Sequence, residues 1–174
     1  LLTAGMSLME MDVSEINDSS DEYKFAEVMV LIPKTVEFGE IYPSGKPSDW
    51  IIGMLKQVAK FPHYNDTWVG VGHTLQATED MKPYSSDTEF CGCLVLPTVT
   101  FPEEFKKINC PEGQINVFSL FPLYKEELVY KIENGFSEFT QFLADKNAKE
   151  VLDFNRKNYL KSEGGILGKL KGLF

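Results

Sequence analysis

The sequence lacks the features of a secreted or membrane-bound protein. It contains three cysteines, Cys91, Cys93 and Cys110, an odd number that cannot form a complete disulfide framework. No segment has the pattern of a secretory signal, and no apolar run approaches the roughly 20 residues that a membrane-spanning helix requires. We therefore expect a cytoplasmic protein without membrane association.

Catalytic motifs are also missing. The two histidines, His63 and His73, have no HExxH spacing and no Ser or Cys in the setting of a nucleophile elbow. Paired carboxylates are frequent, but they fall in polar loops such as residues 18–22 and 79–80. Solvent surrounds them there, so no division into acid and base arises. We predict that the chain is not an enzyme and has no cofactor.

Two short motifs have both a structural and a functional interpretation. The Gly-Val-Gly at residues 70–72 lacks the third glycine and the following helix of a phosphate-binding loop, which favours close backbone approach as its role. Cys91 and Cys93 are expected on one face of a strand, where they could bind zinc with His63 or His73. Their apolar neighbours favour buried thiols, and a metal-dependent enzyme is the least favoured alternative.

Acidic residues exceed basic ones, and the excess is uneven. The net charge is −9; residues 1–104 hold 17 acidic and 6 basic side chains, whereas residues 105–174 hold 9 and 11. Such an acidic surface repels the phosphates of nucleic acid and steers a basic protein partner into contact. Solubility alone explains the same excess equally well.

Hydrophobic patterning predicts an α+β (mixed α/β) fold, a single domain whose central mixed or mainly antiparallel β-sheet is flanked by helices. The predicted strands are 1–9, 25–32, 68–75, 90–96 and 115–121. The predicted helices are 47–61, 124–134 closed by Gly135, and 137–145, with one helical turn after Phe101 and a short strand or helix at 150–155. Solvated acidic loops are expected at 11–23 and 79–89.

The chain is expected to divide into a domain, residues 1–163, and a tail, residues 164–174. The tail sequence is GGILGKLKGLF, in which the apolar residues would share one face of a helix and the two lysines the other. A weak membrane-surface anchor is one interpretation. A flexible tail, or a strip docked on its own domain, is favoured because the segment is short and rich in glycine.

An ordered set of motifs resembles the suppressor-of-fused domain family. In chain order the motifs are Gly5-Met6-Ser7, the helix Trp50–Phe61, Gly72-His73-Thr74-Leu75, the strands Phe90–Pro97 and Ile115–Phe121, Glu126-Glu127-Leu128, and Asp153-Phe-Asn-Arg156. The set covers nearly the whole chain. We expect Glu126, Glu127, Asp153 and Arg156 to cap helices and pair charges, since their spacing matches no catalytic or metal site.

The resemblance implies a protein that binds other proteins and is not an enzyme. The family's named animal member grips an extended peptide of a transcription factor by strand addition, whereas many bacterial members look like immunity proteins. A single small domain favours the bacterial interpretation: an immunity protein (antitoxin) that neutralises a cognate, basic toxin, for instance a nuclease. The alternative is a regulatory adaptor that binds an extended peptide by strand addition.

The expected partner-binding residues come from the two acidic loops and from the segment around Trp68. They are Glu15, Asp18, Asp21, Glu22, Asp66, Trp68, His73, Glu79, Asp80, Asp87 and Glu89. The resemblance places residues 66–73 in part of the family's peptide groove and matches His73 to a family histidine. The other interpretation of Trp68 and His73 is that they are half-buried strand residues.

Overall fold

A computed structural model describes residues 1–16, 20–37, 39 and 49–161. Three predictions therefore lie outside the described residues: the role of Asp18, the first two residues of the predicted helix 47–61, and the tail at 164–174. Within the described part of the chain no helix is long and apolar enough to cross a membrane.

In the described part of the chain five strands form one mixed sheet, which confirms the predicted fold class. They are β1 (Phe25–Met29), β2 (Thr74–Gln76), β3 (Gly92–Pro97), β4 (Lys107–Cys110) and β5 (Gly113–Leu123). The order is β1-β5-β3-β2, with β4 paired to β5 beside its first residues. Only β1 and β5 run parallel; the other pairs among these strands are antiparallel.

Three helices accompany the sheet in the described residues: α1 (Trp50–Tyr64), α2 (Glu103–Lys106) and α3 (Lys125–Asp145). The apolar stripe of α1 is buried as predicted, but α1 does not end at Pro62. The helix continues to Tyr64, and the N–H of Asn65, three residues after the proline, donates a helical hydrogen bond to the Phe61 carbonyl oxygen. Gly135 interrupts α3 with a φ of 83°, which confirms the predicted break between two helical segments.

The sheet has an apolar core on each face because residues alternate sides along a strand. On one face Phe118 and Leu120 of β5 pack with the apolar stripe of α1. On the other, Phe121 and Leu123 pack with Phe139 of α3 and its neighbours. All five residues of β1 are buried, in agreement with a strand covered on both faces.

Several local predictions are wrong. Residues 1–9 form no strand; Leu2 makes an isolated bridge to Met29, and residues 6–8 are a 3-10 turn. Only the last part of the predicted strand 68–75 is a strand, because Gly72 adopts a φ of 90°. Segment 150–155 is neither strand nor helix beyond one bridge at Val151, and β4 was not predicted.

The polar loop at 11–23 and the two neighbouring cysteines also differ from expectation. Met11 and Val13 are buried in the core beside α1, so this loop is solvated only in part. Cys91 and Cys93 do not share a face: Cys91 packs in the cluster under α3 and Cys93 in the cluster under α1. The strand begins at Gly92, so the alternation of strand side chains does not extend to Cys91.

Candidate functional site

The polar residues at the end of the chain form a buried ion pair. Arg156 Nη1 lies 2.6 Å from Glu127 Oε1, and Nη2 lies 2.8 Å from Oε2 and 2.9 Å from the Pro122 carbonyl oxygen. The Glu127 carboxylate also accepts the N–H groups of Tyr124, at 3.1 Å, and Tyr159, at 3.0 Å. It therefore caps the first turn of α3 and holds the C-terminal segment to that turn.

Aromatic rings enclose the guanidinium group. Its Cζ atom lies 4.6–5.2 Å from the centroids of four rings, those of Phe90, Phe121, Tyr124 and Tyr159. Arg156 is the only arginine in the sequence. Both charged groups, the guanidinium and the carboxylate, are occupied by contacts within the fold and are not available for catalysis. We call this ion pair with its surrounding rings the structural lock.

The neighbouring acidic residues have structural contacts as well. Glu126 is 3.2 Å from Lys161 Nζ and 2.7 Å from Asn158 Nδ2. Asp153 accepts the Asn155 N–H at 2.9 Å and the Arg156 N–H through its carbonyl. The expectation that these residues cap helices and pair charges is confirmed for Glu126, Glu127 and Arg156, whereas Asp153 closes a local turn.

Three aromatic residues form a row beside the first acidic loop. The Trp68 ring lies 4.3 Å from the His73 ring and 5.7 Å from the Tyr23 ring, measured between centroids. Trp68 and His73 are half-buried. Asp21 and Glu22, which directly precede Tyr23, and Asp66, two residues before Trp68, are exposed. We call these six residues the Trp68 surface. It brings together predicted residues from two separate parts of the sequence.

The electrostatics of the Trp68 surface depend on Lys131 of α3. The Lys131 ammonium donates a hydrogen bond to the Gly72 carbonyl, which ties the loop before β2 to α3. Burial lowers the pKa of His73, and the nearby Lys131 charge lowers it further, although a hydrogen bond with the Trp68 backbone opposes both. The lowered pKa favours the neutral imidazole. The carboxylates of the surface are those of Asp21, which lies 2.9 Å from Lys24 Nζ, of Glu22, which lies 3.8 Å from Lys107 Nζ, and of Asp66.

The second acidic loop lies elsewhere. Glu22 lies beside the first residues of β5, because its carbonyl oxygen accepts a hydrogen bond from the Asn116 side chain. Cys91, two residues after Glu89, lies at the other end of β5, where its N–H donates to the Leu123 carbonyl oxygen. Seven residues of β5 separate the two positions, or about 23 Å at a strand's rise per residue. The two loops therefore do not form one continuous surface along β5.

The remaining predicted residues are exposed. Glu15 lies on a turn; Glu79, Asp80, Asp87 and Glu89 lie along the second loop. Asp80 pairs with Lys82 at 2.6 Å and with Thr78 at 2.8 Å. Sequence reasoning missed Tyr23 and Lys131. The aromatic Tyr23 at the end of an acidic run is a usable signal, but nothing in the sequence connects Lys131 to Gly72.

The outer edge of β2 borders a groove of about 420 Å³, lined mainly by β2, by Phe61 and Gln57 of α1, and by Glu79. His73 and Ala77 bond β3, so by alternation Thr74 and Gln76 turn their backbone groups outward. Gln57 covers part of this edge by donating a hydrogen bond to the Gln76 carbonyl at 2.9 Å. Thr74 lies along the remaining part.

The cysteines do not form a metal site with the histidines. No group of three or more potential metal ligands occurs among the residues that the structure describes. Burial raises the pKa of the Cys93 thiol to about 12 and also raises that of Cys91. Both are buried, free thiols, as their apolar neighbours predict.

Replacing Gly70 by alanine is expected to displace Trp68. A Cβ atom at Gly70 would lie 2.4 Å from Cζ3 of the indole, so the ring must leave its contacts with Tyr23 and His73. We expect stronger acrylamide quenching of tryptophan fluorescence, measured in a Trp50→Phe background. Gly53→Ala in α1 is the control, because no atom lies within 4 Å of its added Cβ; equal quenching in both variants would contradict the prediction.

The fold and surfaces define a small α+β domain whose buried charges are structural and whose exposed carboxylates accompany half-buried aromatic rings. A profile of the suppressor of fused protein (SUFU) family matches residues 1–157. The chain therefore belongs to the suppressor of fused family. One solved structure with this fold is a complex of Sufu with a second protein, Fu.

Solved structures of the family share this fold at low sequence identity. A suppressor of fused homologue from Neisseria gonorrhoeae FA 1090 is 18% identical with a TM-score of 0.54, covering 77% of this chain and 63% of its own. Drosophila Suppressor of Fused is 14% identical with a TM-score of 0.60, and the match covers 86% of this chain and 35% of the Drosophila chain. The structure of the Sufu–Fu complex is 14% identical with a TM-score of 0.57, and the match covers 87% of this chain and 62% of the chain in the complex.

The chain spans less than two thirds of each of these three structures. At these identities the similarity establishes the fold. No curated protein matches the chain significantly.

Proposed function

We propose that this chain is a cytoplasmic immunity protein that binds and neutralises a basic bacterial toxin, for instance a nuclease. The observation that carries the proposal is the Trp68 surface, where half-buried aromatic rings lie among exposed carboxylates. Family membership supports protein binding, and one solved relative is a complex of Sufu with Fu. A bacterial relative with the same fold supports the bacterial branch.

The Trp68 surface has the physical properties of a binding site for a basic protein. Large aromatic side chains dominate the energy of many interfaces, especially when polar groups surround them. Exposed carboxylates attract a basic partner over a distance and raise the association rate. The barnase–barstar pair illustrates such steering between a nuclease and its inhibitor.

Reversing charge on the Trp68 surface is expected to slow association with a cognate toxin. In the double variant Asp21→Lys/Glu22→Lys, the association rate should fall about tenfold or more at low salt, with a smaller effect at high salt. Asp66→Asn is the matching change at the third acid, since Asp66 has a φ of 46° and asparagine tolerates that conformation.

The measurement uses the product of the adjacent gene as the candidate toxin, with stopped-flow association and rescue of growth in cells that express it. Glu138→Lys, an exposed change on α3, is the control for net charge. Unchanged association rates in the double variant would reject the Trp68 surface as the steering surface. Failure of the unmodified protein to rescue growth would reject the antitoxin function for that toxin.

A second candidate function is a regulatory adaptor that binds an extended peptide on the edge of β2. The groove beside Thr74 and Phe61 supports it, because an outward-facing strand edge next to an apolar side chain suits strand addition. Thr74→Pro removes one outward N–H and would weaken such binding. The same change would leave toxin association through the Trp68 charges intact, which separates the two functions.

A further inference from the structure

The hairpin of β4 and β5 has a second outward-facing strand edge, far from β2 along the sheet. Residues 111 and 112 form a two-residue turn, since Cys110 pairs with Gly113 across it. The two residues that flank a two-residue turn form a hydrogen-bonded pair. Along an antiparallel ladder, hydrogen-bonded pairs alternate with pairs that are not hydrogen-bonded. Ile108 therefore bonds Ile115, whereas Asn109 turns its N–H and C=O away from β5.

The face of the hairpin opposite α1 is apolar and open. Ile108, Cys110 and Ile115 project to this face, because paired residues share a side and alternate residues repeat it. Ile108 is 39% exposed, and Leu8, which lines a groove together with Cys110 and Ile115, is 86% exposed. Phe25 of β1 also lines the groove, which has a volume of about 490 Å³.

Charge at this groove has one sign. Glu10 and Glu112 line it, and no lysine or arginine does among the described residues. Glu10 is 60% exposed, with only a 3.6 Å contact to Lys24. Lys107 projects to the other face of the hairpin, where it approaches Glu22 at 3.8 Å. A partner segment would therefore meet two carboxylates beside an apolar surface.

We propose that the edge of β4 is a second protein-docking site, which adds an extended partner segment with alternating apolar residues and a basic residue beside them. The partner backbone bonds Asn109, its apolar side chains cover Ile108 and Leu8, and its basic residue approaches Glu10 and Glu112. Main-chain bonds provide affinity in strand addition, and alternate side chains provide specificity. The site lies on the opposite face of the hairpin from Lys107, which approaches Glu22 of the Trp68 surface, and it does not use the edge of β2. It does not depend on the partner being a toxin.

The test uses a fluorescein-labelled heptapeptide, Lys-Val-Thr-Val-Thr-Val-Lys, with binding measured by fluorescence anisotropy and by the NMR shift of the Asn109 amide. Asn109→Pro removes the outward N–H but retains the bonds of Ile108 to β5, and proline is tolerated on such edges. We expect about tenfold weaker binding, corresponding to roughly 1.4 kcal/mol. Ile108→Lys, at an exposed position, should have a similar effect and keeps the test valid if the proline variant does not fold.

Matched peptides and variants separate the contributions. The double reversal Glu10→Lys/Glu112→Lys should weaken binding of this peptide and strengthen that of Glu-Val-Thr-Val-Thr-Val-Glu, whereas Glu138→Lys should change neither. Equal binding of both peptides to the unmodified protein would overturn the charge assignment. Loss of binding in Thr74→Pro, with retention in Asn109→Pro, would overturn the β4 site and place the peptide on β2.

Self-association is the remaining outcome. If sedimentation shows a dimer of the unmodified protein that Asn109→Pro converts to a monomer, the edge is occupied by a second copy and the proposal is overturned. A toxin-rescue result has no bearing on this test, because the peptide assay needs no toxin. Failure of the proposed function and failure of the β4 site can therefore be distinguished.

Discussion

Replacing Arg156 by alanine is expected to lower the free energy of unfolding by about 3–5 kcal/mol, since removing one partner of a buried ion pair leaves the other charge uncompensated. Glu127 is 0% exposed and the Arg156 side chain only 9%. The variant also loses the bond to the Pro122 carbonyl and the contacts with four rings. The C-terminal segment should separate from α3 before the rest of the domain unfolds.

Urea unfolding followed by circular dichroism measures this loss, with amide exchange at Tyr159 as a local report. In the double variant Glu127→Gln/Arg156→Met, neither charge of this pair remains, so the loss should be smaller than in Arg156→Ala alone. Lys157→Ala is the surface control on the neighbouring residue, which is exposed. A loss below about 1 kcal/mol in Arg156→Ala, the value of an exposed pair, would contradict the structural lock.

The second large effect is expected at Phe139. This residue is 0% exposed and packs in the cluster that joins the last segment of α3 to Phe121 and Leu123 of β5. Phe139→Ala removes the ring and leaves a cavity, which costs about 3–5 kcal/mol in protein cores. Because Gly135 interrupts α3, the segment after it depends on this packing rather than on the first half of the helix.

Thermal and urea unfolding measure the effect of Phe139→Ala, and amide exchange beyond Gly135 measures the local opening. Ile132→Ala is the matched control on the first half of α3, because Ile132 is 54% exposed and surface changes stay within about 0.5 kcal/mol. Similar losses in the two variants would show that the cluster does not hold the segment in place.

Predictions that depend on local pattern agreed with the structure. The stripe of α1 is visible because Trp50, Ile51, Met54, Leu55 and Val58 recur at helical spacing, and all are buried. The apolar runs of β1, β3 and β5 are visible for the same reason. Gly135 marks the break in α3 because a positive φ favours glycine.

Predictions that needed a partner elsewhere in the chain failed. Residues 68–75 have a strand-like sequence, but Trp68 folds over Gly70 to meet Tyr23 and His73, which removes it from the ladder. The N-terminal residues form no strand, because their backbone bonds the side chain of Glu27. The Glu27 carboxylate accepts the N–H groups of Gly5 and Ser7 and the Ser7 hydroxyl.

The sequence by itself determined the fold class, the apolar strands, α1 with its buried stripe, the break at Gly135 and the family, because each depends on residues that are close along the chain or on their order. The tertiary structure decided which polar groups are available to a partner. It buries Arg156 against Glu127, 29 residues away, and places Trp68 beside Tyr23 while β4 stays at an open edge. These arrangements depend on contacts between distant segments, and the free energy of burying a charge or an indole depends on what surrounds it rather than on its neighbours in sequence.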